Sequence, residues 1–431
     1  MQNPQPAPGA AREASEPSTA APRREQFIPL SKSELLARLF DAGKIADADR
    51  ARFESFGQIL SALIHHEYHA RLEKLKQAYW QFDPDGESPR ATRAPSAERD
   101  AACHALFAQI VALFERANYR RLTRAELDEA LASMSEIGVR LDVELAAFQR
   151  LEVFVRGDTT ARRTRRYLRS LYRRREIDVP TYDRLVVAFH PHESRRIGEQ
   201  AKSEHVYLKM FKNIPKMDLE MLLPGTRVRM SLLDQGRILL PAVSGVALTV
   251  YKVLQGALVL AFAGLYGMLA LLGVVGGTIG YGVRSFVGYL RTKDKHQLYL
   301  TRSLYFQNLD NNLGVLFRVL DEAEDQDFRE AMLAYFLLWR RGQSENRDIR
   351  DSAASTLKEL DAEAEAFLRG ATQCDVDFEI ADALAKLQRW QLAAKLADDR
   401  WRAKPLGEAI DLLDERWDEA YRLRENGLRR E

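Results

Sequence analysis

Cysteine is scarce: the chain has two, Cys103 and Cys374, in 431 residues. Two thiols so far apart make no disulfide framework, and no Cys-x-x-Cys or Cys/His metal spacing occurs. Both read as structural thiols of a reducing compartment. Charge of one sign is not in excess either. There are 64 Lys and Arg against 62 Asp and Glu, and the net charge of +2 names no partner. The phosphate-cradling and nucleophile-elbow motifs G-x-x-x-x-G-K-[ST], G-x-G-x-x-G and G-x-S-x-G are missing. That weighs against a nucleotide enzyme or hydrolase without excluding one, and no cofactor is implied. The N-terminus lacks the apolar core of a secretory signal. Residues 1–25 are rich in Pro, Ala, Ser and Glu and read as a disordered tail. Hydrophobic residues at 46% and charged residues at 29% exclude wholesale disorder for the rest.

What the chain does have is a long uncharged run. No charge occurs from Ile238 to Tyr251 or from Val253 to Val283, and Lys252 alone parts the two. A bilayer core of ~30 Å takes about 20 apolar residues per helix. Residues 237–284 therefore predict a two-helix transmembrane hairpin that turns near Lys252. A pair of buried core helices is the alternative. Arg237 and Lys252 would snorkel to opposite surfaces, and the Gly273–Gly277 spacing would let another helix approach closely. Lys209, Lys212, Lys216, Arg227, Arg229 and Arg237 precede the run, and Arg284, Arg291, Lys293 and Lys295 follow it. Basic flanks stay cytoplasmic. The expectation is a multi-pass membrane protein with both large parts cytoplasmic, in a bacterial inner membrane or, in a eukaryote, a mitochondrial one.

Residues 26–235 predict an α+β domain. Ser31-Lys-Ser-Glu34 and Thr123-Arg-Ala-Glu126 are capping boxes that open helices. Further helices are expected over about 50–80 and 97–118. The apolar period then changes from 3.6 to 2. Val139 to Leu145 alternate, Leu151–Arg156 leads into a Gly157-Asp158 turn, Leu185–Phe189 reads as a buried strand, and Val206, Leu208 and Met210 alternate again. From Arg150 to Arg175 there are ten arginines against two acids. Within 161–175, Tyr167, Leu168, Leu171 and Tyr172 are spaced as the apolar stripe of a helix. Such a helix suits an anionic lipid surface through Arg162, Arg163, Arg165, Arg166 and Arg169. It attracts nucleic-acid phosphate by the same charges, and as a solvated helix it would pack its stripe on the sheet.

Metal and acid chemistry is weakly signalled. His65, His66 and His69 share a helix, but His66-Glu67-Tyr68-His69 is one residue short of H-E-x-x-H. His190-Pro-His192-Glu193 is turn-like and brings no third ligand, so no metal site is expected. Asp218, Glu220 and Asp234 offer carboxylates near the apolar run, and caps or solvated acids explain them equally well.

Residues 296–431 predict a helical region. Helices are expected from Leu298 onward, over 328–340, 354–368 and 378–390, followed by a hairpin that turns at Asp398-Asp399. Three helices and a β-wing over about 328–406 follow the winged-helix order. Asp377, Glu379 and Asp382 stand near the start of its third helix, and residues 375–431 carry 11 basic against 14 acidic side chains. This opposes phosphate binding and favours a protein-contacting or structural module.

The run Phe211-Lys-Asn-Ile-Pro-Lys-Met-Asp-Leu-Glu-Met-Leu-Leu-Pro-Gly225 resembles the signature of an uncharacterised domain family. That family includes the eukaryotic transmembrane protein 143 and many bacterial proteins. Asn118-Tyr-Arg-Arg-Leu-Thr123, Val155-Arg-Gly157, Ser303–Asn312 and Glu330–Leu338 also fit it. The resemblance implies a membrane protein with a hairpin of spans and carries over no catalytic residue. It singles out Lys212, Asn213, Pro215, Asp218, Glu220 and Pro224 as motif positions. The resulting reading is a membrane-anchored scaffold or regulatory protein, with a protein partner or a second copy as company. The alternative is a lipid-directed enzyme that uses the carboxylates beside the apolar run.

Overall fold

The computed structural model describes residues 24–86, 96–132, 140–142, 145–166, 174–193, 201–223, 227–229, 251, 276, 280, 306–343 and 354–421. Local chemistry sets its first helices. The Ser31 hydroxyl accepts from the Glu34 amide and the Glu34 carboxylate accepts from the Ser31 amide, which opens α1 (Lys32–Gly43). α2 (Asp47–Tyr79) and α3 (Ser96–Arg116) follow. The second capping box, Thr123 with Glu126, opens α4 (Arg124–Ala132).

The strands are β1 (Arg120–Arg121), β2 (Arg140–Asp142), β3 (Phe148–Arg166), β4 (Arg174–Pro191), β5 (Tyr207–Pro215), β6 (Arg227–Arg229) and β7 (Asn308–Asn311). An antiparallel sheet runs in the order β1-β3-β4-β5-β7, and β2 pairs with β6. Side chains alternate across the sheet, and both faces are covered. Phe154, Val186, Ala188, Leu208 and Met210 join the helices in the larger core. Val153, Val155, Leu185, Val187, Phe189 and Phe211 face the other way, onto Leu127 of α4 and Leu219 of a 3-10 turn, Lys216–Leu222.

The larger core is organised by α5 (Leu313–Gly342), in which every residue from Gln326 to Trp339 is buried. A helix buried on all sides needs partners all round. α1, α2 and α3 supply them from one side, and a C-terminal group supplies the rest. That group is α6 (Leu357–Thr372), α7 (Ile380–Arg389) and the hairpin β8 (Ala393–Lys395) with β9 (Trp401–Ala403), while the last helix, α8 (Leu406–Tyr421), packs on α2. Ser355 forms an isolated bridge to Trp401 before α6 begins.

Three expectations are corrected. No described helix is long and apolar enough to cross a membrane, so the expected hairpin of spans and the multi-pass membrane location are not upheld. The structure is an α+β fold with an antiparallel sheet and, among the described residues, eight helices. The physical reason lies in the two longest helices. α2 carries charge at both ends, over Asp47–Glu54 and Glu67–Lys76, and α5 carries Asp321, Glu322, Glu324, Asp325, Asp327, Arg329 and Glu330 at its middle. Of residues 237–284, only Tyr251, Gly276 and Gly280 are among the described residues; Arg237, Lys252 and Arg284 lie outside them.

Second, the helix expected over 161–175 is a strand as far as Arg166 and again from Arg174. Thr159, Thr160 and Thr164 pair there with Thr181, Pro180 and Glu176, and β-branched residues suit a pleated surface better than a helix. Tyr167, Leu168, Leu171 and Tyr172 lie outside the described residues. Third, Gly157-Asp158 does not end a strand. β3 passes through both, with Gly157 at φ +75° between the paired Arg156 and Asp158. Of the helix expected from Leu298 onward, residues 298–305 lie outside the described residues, Phe306 and Gln307 are helical, and β7 separates them from α5.

Candidate functional site

The strongest convergence of polar groups forms around an extended strap, Arg24–Ile28. Its anchor on the sheet is Glu25. The Glu25 carboxylate accepts from the backbone amides of Gly157 (2.9 Å) and Asp158 (3.3 Å). The positive φ of Gly157 turns two successive N–H groups toward one oxygen, an anion-receiving arrangement of backbone dipoles. A side chain at 157 would put its Cβ 2.5 Å from Asp183 Cβ, so the position requires glycine. Burial pushes the Glu25 carboxyl above its usual range, against the two amides and Arg156, which hold it down.

On its other edge the strap meets the C-terminal group. Glu25 bridges Val376 in parallel, and the Glu25 carbonyl accepts from the Asp377 amide at 2.7 Å. Arg24 donates to the Val376 carbonyl (2.8 Å) and pairs with Glu365 (2.8 Å) and Asp375 (3.1 Å). Gln26 offers its carbonyl to Asn118 Nδ2 at 2.8 Å. The Phe27 ring lies between two guanidiniums, Arg156 at 4.0 Å and Arg329 at 5.3 Å. Ile28 is fully buried, and its amide donates to Gln326 Oε1 of α5.

A pocket of about 190 Å³ opens beside this strap, lined by Glu25, Asn118, Arg120, Arg156, Asp158 and Tyr182, among others. Its charges are paired from below. Arg156 binds Glu322 (2.9 Å), which also accepts from the Tyr119 hydroxyl (2.7 Å). Lys216 binds Asp158 at 2.6 Å. Three of the motif segments meet here: Asn118 and Arg120, Val155 to Gly157, and Lys216 of the Phe211–Gly225 run.

Deeper in the molecule, α5 holds Asp327 and Glu330 around Lys386 of α7, at 2.6 and 2.7 Å. Tyr68 donates to Asp327 and Gln326 donates to Glu330. Burial lowers the Lys386 pKa, but the two carboxylates outweigh it and hold the ammonium above its ordinary value. Elsewhere, buried Cys103 lies 3.6 Å from Nδ1 of His190, whose Nε2 meets the Ser203 carbonyl at 2.9 Å. Burial raises the thiol and lowers the imidazole. Burial thus disfavours the charged form of both groups.

The residues singled out in the sequence are dispersed. Arg162 is exposed on β3, 3.8 Å from Asp178 across the arm. Arg163, Arg165 and Arg166 face Ile177, Arg175 and Arg174 in register, and Arg169 lies outside the described residues. Lys212 and Asn213 are exposed on β5, Pro215 ends it opposite Thr181, and Asp218 and Glu220 sit in the 3-10 turn after it. Pro224 and Asp234 lie outside the described residues. His65 contacts Glu324 at 3.0 Å. No metal-holding cluster occurs among the described residues. Glu25 and Lys386 escaped the sequence reading. The signal for the first was Val155-Arg-Gly157, whose glycine marks the amide pair.

The fold and this site define an α+β protein with a polar pocket beside an extended strap. Residues 182–314 match the model of a family described as a protein of unknown function, DUF3754. The match takes in Tyr182, Lys216 and the Phe211–Gly225 run, while Asn118, Arg156 and the strap fall outside it. It does not establish the link to transmembrane protein 143. No solved structure matches the chain.

Proposed function

We propose that the protein is a non-enzymatic scaffold or regulatory protein whose N-terminal strap clamps the C-terminal helical group to the sheet. The observation that carries this reading is the strap itself. Five consecutive residues bond to β3, to the 117–119 turn, to α5 and to residues 375–379. The amide pair at the edge of the polar pocket is taken by the chain's own carboxylate, that of Glu25. The interior acids Glu324, Asp327 and Glu330 are each spent on a cation or donor within the protein. Native hydrogen exchange tests the clamp. Replacing Arg24 and Glu25 with Ala should raise exchange at Gly157, Asp158 and Asp377 and leave α2 and α5 unchanged. Unchanged exchange at Asp377 would overturn the clamp.

The C-terminal group serves protein contact in this reading, not duplex DNA. Lys386, the cation in the middle of α7, is turned inward to α5, and Glu379 and Asp382 stand at the helix start. Phosphate binding needs cations free to release counterions. The full chain should not retard duplex fragments at low salt. Submicromolar binding that weakens steeply with salt would refute this assignment.

A further inference from the structure

We infer that the channel holding Arg24–Ile28 is a peptide-recognition groove. Its ligand class is an extended segment of the order basic, acidic, any, aromatic, aliphatic, which a partner protein can supply in competition with the strap. The inference rests on the clamp reading above and adds what would open the clamp. Each position has a distinct receptor. The basic residue meets Glu365, Asp375 and Asp377. The acidic residue meets two backbone amides, of Gly157 and Asp158. The aromatic ring enters between Arg156 and Arg329. The aliphatic residue is removed from water entirely. The main-chain bond from the Asp377 amide to the Glu25 carbonyl, within a parallel bridge to Val376, sets direction, as in recognition by strand addition.

The chemistry favours a carboxylate over a phosphate at the acidic position. The amides of Gly157 and Asp158 both reach one oxygen of the Glu25 carboxylate, the arrangement of donors that a carboxylate fits. The strap is also a replaceable occupant. The Glu25 carboxylate is hydrogen-bonded by two amides and favoured by the charge of Arg156, with burial working against its charge, while Arg24 is partly exposed, at 36% of its side chain. A ligand from another chain competes against a tethered one, so its apparent affinity is low until the tether is weakened.

The test uses the full chain and a fluorescent synthetic peptide of residues 22–31. Three proteins are compared: wild type, Glu25→Ala, and the triple substitution of Arg24, Glu25 and Phe27 by Ala. Fluorescence anisotropy should show binding to the triple variant at least about tenfold tighter than to wild type, with the single variant between them. Peptides carrying Ala for Glu25, or a phosphoserine there, should bind the triple variant about tenfold more weakly. Absence of binding to a variant whose circular dichroism is native would overturn the groove, and so would equal binding of a scrambled peptide. Should the triple variant not fold, the single variant carries the same comparison. A groove that binds peptide while hydrogen exchange at Asp377 stays unchanged refutes the clamp and keeps the groove; the reverse result refutes the groove alone.

Discussion

Lys386 is one ammonium between two carboxylates in the interior, and its loss leaves both charges unpaired. Removing one member of a buried ion pair costs about 3–5 kcal/mol. Lys386→Met should lower unfolding free energy by that amount in chemical denaturation, and adding Glu330→Gln should restore part of it. Glu25 makes a pH prediction. Its folded carboxyl titrates above the ordinary 4.5 because of burial. Between that value and the raised one, the folded state binds more protons than the unfolded state, so this contribution to stability falls as pH rises. Glu25→Gln should flatten that slope in denaturation curves taken at a series of pH values. At the same scale, exposed Cys374 should react at once with a thiol reagent under native conditions, and buried Cys103 only on unfolding. Such residues were illegible beforehand for a plain reason. Nothing in the neighbourhood of Lys386 or Glu25 along the chain records that Asp327, Glu330 or Gly157 will stand beside them.

Elements were legible where a local signal decides them. Both capping boxes open the helices they announce, because the reciprocal bonds lie within three residues. The segment 161–175 failed because arginine and tyrosine spacing fits a helix, while the pairing that makes it a strand comes from Val179, Asp178 and Glu176 beyond it. The Gly157-Asp158 pair misled in the same way: a positive-φ glycine ends strands in turns, but here it bends one strand toward an incoming carboxylate. Gly157→Ala tests this. The left-handed backbone costs about 1–3 kcal/mol for a residue with a side chain, and Asp183 must also give way. The variant should be destabilised by at least that much and should lose exchange protection at Asp158, with α2 unaffected.

For the whole molecule, the larger core includes residues from Ile28 to Leu413, with α1, α2 and α3 packed on α5. A chain cut once within 230–305 should therefore stay associated on a sizing column under native conditions and separate in denaturant. Dissociation without denaturant would contradict the shared core. The sheet and helices of an α+β fold could be read from periodicity. The joint core could not, since apolar faces do not name their partners. The long uncharged run was over-read for the same reason: its length and flanks were visible, its surroundings were not.

The place of α5 in the chain also has a consequence in time. Phe53 and Phe56 of α2 pack against Tyr335 of α5, yet about 230 residues separate the end of one helix from the start of the other. At ~5–20 residues per second, a ribosome needs roughly 12–45 s to deliver the second after the first. Throughout that interval the aromatic face of α2 has emerged without the helix that buries it. The nascent chain is thus a client for whatever shields apolar surface during synthesis, and slowing translation between residues 80 and 312 should lower its soluble yield.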